Sequence, residues 1–490
     1  MTGRRQNHHQ GGITMDQDLA SRQEARELGK RAEEAQRILR TFSQEKLDGI
    51  VQAVSRAFLE HARELGRMAC EETGFGNPQD KEIKNRFAAS RVWEAIRSQR
   101  TVGILREDAQ QKIWDVGVPV GVIAAIVPST NPTSTVCYKA MIALKAGCAI
   151  VFSPHPAAAQ CTRRAAEIVA QAAESAGCPR GAVACLQTPT MEAVDELMKC
   201  PPVRLILATG GHGMVKAAYS SGKPAIGVGA GNGPAYIHKS ADIAKAVSDI
   251  IRSKTFDNGT VCASEQSIIV ERPIADQVRR EALKQGAYFL SPEEAGKVAA
   301  VLFRPDGRLN PKVVGRSAQK VAELAGFRIP EQAKVLVARE TEAGPTRPYS
   351  WEKLCPVLAY YVEENEDDVL KKAVAVLEHE GAGHSFMIHA QDQAVIRRFA
   401  LQIPVSRFLV NTPGALGGIG ATTNLFPALT LGCGAVGGSS SSNNIGPLDL
   451  INIRRVAWGV REVEGTGPEH GHVSETVINA LAAEIMKKLM

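Results

Sequence analysis

Apolar residues fall in three rhythms along this chain, and each rhythm predicts a different kind of element. Between Asp16 and Glu72 they recur at helical intervals. Leu47, Ile50, Val51, Val54 and Phe58 form an i, i+3, i+4 stripe behind Ser43, a residue suited to cap a helix start. Residues 101–127 change character. Thr101-Val-Gly-Ile-Leu105 and Ile113 through Val127 read as strands. Short apolar runs then alternate with helical patterns: Ala149–Ser153, a helix over Ala157–Ala176, Val183–Leu186, a helix near Met191–Lys199, and Leu205–Thr209. That alternation predicts α/β class with a parallel, doubly wound sheet. A second α/β pattern follows Gly233 and includes Ser267–Val270 and Val357–Val362. The run 437–446, rich in Gly, Ser and Asn, has the composition of a flexible loop. Residues 464–472 read as a spacer. Beyond them Val473, Val477, Leu481, Ile485 and Leu489 recur every fourth residue, widened by Ile478 and Ala482. Ser474 can cap this helix, Glu475 lies in its first turn, and Lys487 and Lys488 lie in its last, matching the helix dipole.

Composition adds boundaries. A chain of 490 residues exceeds one core of typical size, so two or three domains are expected. Hydrophobic content of 44% and charged content of 22% are ordinary for a globular protein. The net charge of +6 is scattered, which argues for a solvated surface and against a nucleic-acid partner. Ten cysteines occur without a Cys-x-x-Cys pair, so no metal site is expected. The apolar run Gly121–Ile126 is too short to span a bilayer, and the polar stretch Met1–Thr14 lacks the apolar region of a secretory signal. A reduced, cytoplasmic setting with no membrane partner is the expectation, with Met15 as the natural start.

Four short stretches carry candidate chemistry. Val127-Pro-Ser-Thr-Asn-Pro-Thr133 directly follows a strand, and Asn131 can offer an amide N–H to a developing oxyanion. Alone it reads as a strand-end turn. Thr209-Gly-Gly-His-Gly-Met-Val-Lys216 is a glycine-rich strand-to-helix turn of the kind that lets backbone approach a phosphate, although it does not match G-x-G-x-x-G. Phe256-Asp-Asn-Gly-Thr-Val-Cys-Ala-Ser264 places a glycine three residues before Cys262, which permits a tight, exposed turn; a lone cysteine is otherwise a core residue. In Trp351-Glu-Lys-Leu-Cys-Pro-Val357, Glu352 by itself reads as a surface charge.

Together, and in this order, the four stretches resemble the motifs of the aldehyde dehydrogenase superfamily over residues 30–463. The resemblance makes Cys262 the nucleophile, Asn131 the oxyanion-hole asparagine and Glu352 the residue that holds the nicotinamide ribose. It implies an aldehyde dehydrogenase fold: a Rossmann-like cofactor domain over 16–100 and 118–232, an α/β catalytic domain over 233–430, and a small oligomerisation sheet from 101–117 and 445–463, in a dimer or tetramer. Ser153, His155, Thr209, Gly210, Gly211, Gly227 and Gly229 are then the expected cofactor-binding residues.

The departures from the pattern are equally informative. Where hydrolytic members carry Glu-Leu-Gly-Gly-Lys, this chain reads Ile226-Gly-Val-Gly-Ala-Gly-Asn-Gly-Pro234, with no acid at or beside Gly227. That glutamate activates the deacylating water in hydrolytic enzymes. The glycine-rich replacement, with Asn131–Thr135, Phe152-Ser-Pro-His-Pro156 and Leu431–Gly438, resembles the coenzyme A-acylating branch, including bifunctional aldehyde–alcohol dehydrogenases and the propionaldehyde and acetaldehyde dehydrogenases of bacterial microcompartments. The implied activity is oxidation of a short aliphatic aldehyde to acyl-coenzyme A, with coenzyme A as cosubstrate. The alternatives are hydrolytic oxidation to a carboxylate and a catalytically silent shell-binding scaffold. By the same resemblance run 437–446 is ordered at the active-site mouth, and His384, in Gly381-Ala-Gly-His-Ser385, matches a histidine of the acylating branch, as an active-site group or a structural hydrogen bonder. Ser153-Pro-His-Pro156 carries no acid to repel a 2′-phosphate, so NAD is expected and NADP is also admitted. For 473–490 three readings stand: an encapsulation peptide that binds microcompartment shell proteins, a helix folded onto its own oligomer, or a membrane-surface helix.

Overall fold

The computed structural model describes residues 16–461 and 475–489. Met15 as a start, the 464–472 spacer, and Val473 and Ser474 of the C-terminal stripe lie outside the described residues. The chain forms two compact units: one holds the chain up to Gly103 together with Gly117–Asn452, the other Ile104–Val116 with the chain from Ile453.

The first unit opens with helices. The helical rhythm becomes Gln17–Leu39, Gln44–Glu60 and Ala62–Thr73, followed by Pro78–Ile96. Ser43 caps the second by accepting the Lys46 N–H, and the buried face includes Leu47, Ile50, Val51, Val54 and Phe58. The fourth starts at Asn77, whose side chain accepts the Asp80 N–H, with Pro78 in the first turn where a missing N–H costs nothing.

The strands begin with β1 (Gly103–Asp108) and β2 (Ile113–Pro119). The next five are β3 (Val122–Ile126), β4 (Ala149–Ser153), β5 (Val183–Cys185), β6 (Val203–Thr209) and β7 (Ala225–Val228). These five form one parallel sheet in the order β5-β4-β3-β6-β7. Every residue of β3 and β4 is buried, as expected of parallel strands covered on both faces. The chain order reverses between β3 and β6. The loops leaving those two strands carry Asn131 and the Gly210-Gly211 turn, so both open at the point where doubly wound sheets bind ligands.

A second parallel sheet follows: β8 (Gly233–Ile237), β9 (Glu265–Glu271), β10 (Ala287–Phe289), β11 (Val335–Arg339), β12 (Val357–Glu363), β13 (Gly383–His389) and β14 (Val405–Val410), in the order β10-β11-β12-β9-β8-β13-β14. Its side chains alternate between two cores. Ile269 and Tyr236 enter one, while Ile268, Val270 and Ile237 enter the other. The residues of interest here sit at strand starts: Cys262 before β9, Gly231 before β8, Glu352 before β12 and His384 at the head of β13. The trailing edge of the first sheet and the leading edge of the second thus supply one site.

The run 437–446 is held by hydrogen bonds. The Ser440 N–H donates to Tyr219 Oη (2.9 Å), Ser440 Oγ donates to the Ala225 carbonyl (2.6 Å), Asn444 Nδ2 donates to the Phe426 carbonyl (2.8 Å), and the Ile445 carbonyl accepts the Tyr138 hydroxyl. The linker-like composition therefore misleads. Its polar side chains bond main-chain groups that a loop would leave to water.

The second unit contains most of β1 and β2 and of β15 (Ile451–Ala457), which form a three-stranded sheet in the order β1-β2-β15. Arg106 and Arg455 both reach Asp115 at 3.3 Å, and Trp114 packs edge-on against Trp458. Ile453, Val456, Trp458 and Val460 remain exposed. The C-terminal rhythm forms the helix Glu475–Leu489.

Candidate active site

The cysteine loop is built on unusual backbone. Asp257 and Asn258 take the left-handed region (φ 47° and 52°), followed by Gly259 at φ 76°. For a residue with a Cβ that region costs about 1–2 kcal/mol, least for Asn and Asp. Gly259 has no alternative, because a Cβ there would stand 3.0 Å from the backbone of Cys355. Asp257 is held by its own carboxylate. Oδ1 accepts the Asn77 N–H at 3.0 Å, and Oδ2 accepts from Lys81 Nζ (3.0 Å), Thr260 Oγ1 (2.6 Å) and Lys84 Nζ. The Asp257 N–H donates to Asp80 Oδ2 at 2.7 Å. Burial alone would raise the Asp257 carboxyl, but Lys84 and Lys81 outweigh it and leave it below its ordinary value.

Cys262 lies three residues beyond this turn, half-buried, on the wall of a cavity of about 240 Å³. The same cavity is lined by Asn131, His155, Thr209, Gly210, Gly211, Gly229 and Glu352. Most of the expected residues therefore converge. Burial pushes the Cys262 thiol up to about 12. Glu352 adds to the rise, and the buried Arg407 guanidinium opposes it. Asn131 offers its amide from the loop after β3: Oδ1 accepts from Lys84 Nζ at 2.5 Å, and Nδ2 donates to Thr130 Oγ1 at 3.1 Å.

Among the described residues, Glu352 is the only acid lining this cavity. Its Oε1 accepts the Gly231 N–H at 2.9 Å, and its own N–H donates to Glu380 Oε2 at 2.6 Å. Burial, then the neighbouring Glu380, raises the Glu352 carboxyl to about 8. Lys353 fixes the loop by donating to the Tyr349 and Trp351 carbonyls, both at 2.6 Å.

A larger adjoining cavity of about 910 Å³ is lined by Ser153, His155, Thr209, Gly210, Gly211, Glu352 and Glu380. That size falls within the roughly 300–1,000 Å³ of small-molecule and cofactor sites. It opens on the N-terminus of the helix His212–Tyr219, and a Cβ at Gly211 or Gly213 would meet nothing within 4 Å. Ser153 Oγ is buried without a partner. The free helix start, the unpaired hydroxyl and the Glu352 carboxyl fit a nicotinamide dinucleotide.

One expected cofactor-binding residue, Gly227, and the candidate active-site residue His384 do not line these cavities. Gly227 lines neither cavity. A Cβ there would stand 2.7 Å from Val215 Cγ1 and 2.8 Å from Tyr219 Cε2, and the Gly227 N–H donates to the Tyr219 hydroxyl at 2.9 Å. Its smallness serves helix packing rather than cofactor contact. His384 also lines neither cavity. It sits behind Gly231, where a Cβ would come within 3.1 Å of His384 Cε1 and 2.1 Å of the Cys262 carbonyl oxygen. Its Nδ1 meets Ser385 Oγ at 2.9 Å, its Nε2 is buried without a partner, and burial together with Arg407 lowers it to about 3.

Reading the sequence missed Lys81, Lys84, Asp257, Glu380 and Arg407. One signal was available: Lys81 and Lys84 share a helix face with Phe87 and Ala88, where a solvated lysine does not belong. A further group, His238, Glu271 and Glu366, has metal-ligand chemistry, but Lys239 Nζ stands 3.2 Å from Glu366 and 3.8 Å from Glu271 and supplies the counter-charge.

Comparison with known proteins identifies the family and the fold. Residues 3–350 match the model of the aldehyde dehydrogenase family. The chain is 45% identical over 435 residues to the bifunctional aldehyde-alcohol dehydrogenase AdhE of Escherichia coli K12, covering 88% of this chain and 49% of that protein. It thus spans about half the length of the curated relatives of this kind. An acetylating aldehyde dehydrogenase from Geobacillus thermoglucosidasius superposes with a TM-score of 0.90 at 52% identity, over 92% of this chain and 99% of that one. A propionaldehyde dehydrogenase from Rhodopseudomonas palustris, solved with bound propionyl-CoA, gives a TM-score of 0.81 at 28% identity, over 89% of this chain and 94% of that one.

Proposed function

The chain belongs to the aldehyde dehydrogenase family, and from that premise we propose that it converts a short aliphatic aldehyde to an acyl-coenzyme A with NAD as oxidant. The observation that carries this reading is the acid inventory around Cys262. Glu352 is the single lining acid, one of its oxygens is engaged by the Gly231 N–H, and at neutral pH its raised pKa keeps it largely protonated. Among the described residues no second carboxylate lines this cavity to activate water. A thioacyl group on Cys262 then waits for a thiol.

Cys262 Sγ, once deprotonated, attacks the aldehyde carbon. Asn131 Nδ2 and the Cys262 N–H are the donors we assign to the oxygen that becomes negative, both residues lining the one cavity. The Gly210-Gly211 turn and Glu352 would hold NAD, which would supply the hydride acceptor for the carbon bound to Cys262 Sγ. Cys262 is left as a thioester. The acyl group then passes from Cys262 Sγ to the coenzyme A sulfur, and the thiol proton restores Cys262. The relative solved with bound propionyl-CoA supports coenzyme A as the acceptor. Among the described residues, Glu352 and Glu380 are the only acids lining the larger cavity, which leaves NADP open beside NAD.

The exposed Ile453, Val456, Trp458 and Val460 support the three-stranded sheet as a homo-oligomer contact. The helix Glu475–Leu489 presents Val477, Leu481, Ile485 and Leu489 in the open, which supports its role as an encapsulation peptide docking on microcompartment shell proteins. No helix among the described residues is long and apolar enough to cross a membrane.

The test is rapid mixing of enzyme, NAD and propionaldehyde without and with coenzyme A. We expect a burst of reduced nicotinamide, then slow turnover; coenzyme A restores steady turnover and yields propionyl-CoA. Equal steady rates in both arms, with propionate as product, would establish the hydrolytic alternative. No burst and no turnover would leave the scaffold.

A further inference from the structure

Lys84 carries more than the neutralisation of a buried acid. It lies on the helix Pro78–Ile96, 2% exposed, one turn after Lys81, and both ammonium groups meet the same oxygen of Asp257. Asp257 has one negative charge, and Lys81, at 3.0 Å, already balances it. A second buried ammonium costs desolvation that this carboxylate does not repay. Burial, opposed by Asp257, accordingly lowers Lys84 to about 8.

The two lysines diverge in their remaining bonds. Lys81 donates to the Thr130 carbonyl at 3.1 Å. Lys84 donates instead to the Asn131 side-chain oxygen at 2.5 Å, and stands 3.5 Å from Thr260 Oγ1 in the cysteine loop. An amide has an accepting end and a donating end, and an ammonium only donates. A flipped Asn131 would turn its NH₂ against the NH₃⁺, donor to donor. With the oxygen committed to Lys84, Nδ2 is left with one hydrogen on Thr130 Oγ1 and one free. The cation also polarises the amide and strengthens the remaining N–H as a donor.

We propose that Lys84 is a positioning residue for the reaction: its ammonium locks the Asn131 amide in the orientation that presents Nδ2 to the oxyanion formed at Cys262. This rests on the reading of Asn131 as an oxyanion donor. It ties the loop after β3 to the cysteine loop through one side chain, so the two halves of the site are set together.

The experiment compares wild type, Lys84→Met, Asn131→Ala and the double variant by two readouts. One is the burst of reduced nicotinamide with propionaldehyde. The other is alkylation of Cys262 by iodoacetamide, which forms no oxyanion. The expected result is a burst slowed roughly 10²–10³-fold in Lys84→Met, the scale of losing one oxyanion donor, with alkylation little changed. The double variant should be no slower than Asn131→Ala, because Lys84 acts through that amide. Lys84→Gln, which offers the Asn131 oxygen an uncharged donor, should recover part of the loss. If the Met variant does not fold, Gln carries the comparison, with a smaller loss confined to the burst. An unchanged burst in Lys84→Met, equal losses in burst and alkylation, or additive losses in the double variant would overturn the proposal. A full burst in Asn131→Ala would instead overturn the oxyanion reading beneath it.

Discussion

Around Cys262 the protein buries charge. Lys81 and Lys84 are each 2% exposed and Asp257 is fully buried, yet each finds partners within hydrogen-bond reach. In the helix Glu475–Leu489 the apolar side chains are the exposed ones, with Leu481 at 55% and Leu489 at 81%. Both regions spend free energy against the usual sorting of polar and apolar groups. The first spends it on fixed geometry: the ion cluster clamps a strained turn and an amide. The second spends it on availability, since a helix of 15 residues is marginal in water and gains from a partner. One region should therefore be intolerant of single changes in kinetics, and the other tolerant in kinetics but not in association.

The sharpest way to break that contrast is Cys262→Ala. It should abolish aldehyde-dependent NAD reduction while the far-ultraviolet circular dichroism stays that of wild type. Measurable turnover in the folded variant removes Cys262 from the reaction and with it the meaning of the cluster.

A smaller effect is expected at Glu352. Its carboxylate raises the Cys262 thiol, and its own pKa near 8 means this influence grows as pH passes through 8. In Glu352→Gln the influence is gone at every pH. Iodoacetamide should then alkylate Cys262 a few-fold faster at pH 9, with little difference at pH 6.5 where the native acid is already protonated. KM for NAD should rise in the same variant. Slower alkylation at pH 9 would show that the carboxylate assists the thiol.

The smallest kinetic effect belongs to the C-terminus. Removing residues 464–490 should leave kcat and KM for the aldehyde as they are, while binding to hexameric shell proteins in a pull-down is lost. Leu481→Asp should mimic the deletion. A truncated enzyme that is inactive or monomeric would assign the helix to the oligomer and end the encapsulation reading.

Much of the site was legible because its chemistry is carried by unusual residue types at fixed spacing. Cys262, Asn131 and Glu352 stand in motifs whose order along the chain is distinctive, and all three line one cavity. Gly227 was misjudged for a physical reason. A glycine in a glycine-rich stretch looks like backbone approaching a ligand, whereas here the missing side chain is the space filled by Tyr219. For His384 the motif left two readings open, an active-site group or a structural hydrogen bonder; it lies behind Gly231 and meets Ser385 Oγ, a one-residue layer that linear spacing does not reveal. The burial of Lys84 had a signal in the apolar face it shares with Phe87 and Ala88, but its role had none, because its partner Asn131 lies on a distant loop.

The sequence by itself determined the alternation of strands and helices, the motifs that hold Cys262, Asn131 and Glu352, and the absence of an acid at or beside Gly227. These are properties of residue type and local rhythm, and they survive without coordinates. Tertiary structure alone decided that the trailing edge of one parallel sheet meets the leading edge of another, that Asp257 takes two lysines from a helix some 175 residues earlier, and that one of those lysines turns to Asn131. Such pairings depend on which loops folding brings within about 3 Å of each other, the range at which hydrogen bonds form. Burial then sets their charge states, since the same lysine or glutamate in water would keep its ordinary pKa.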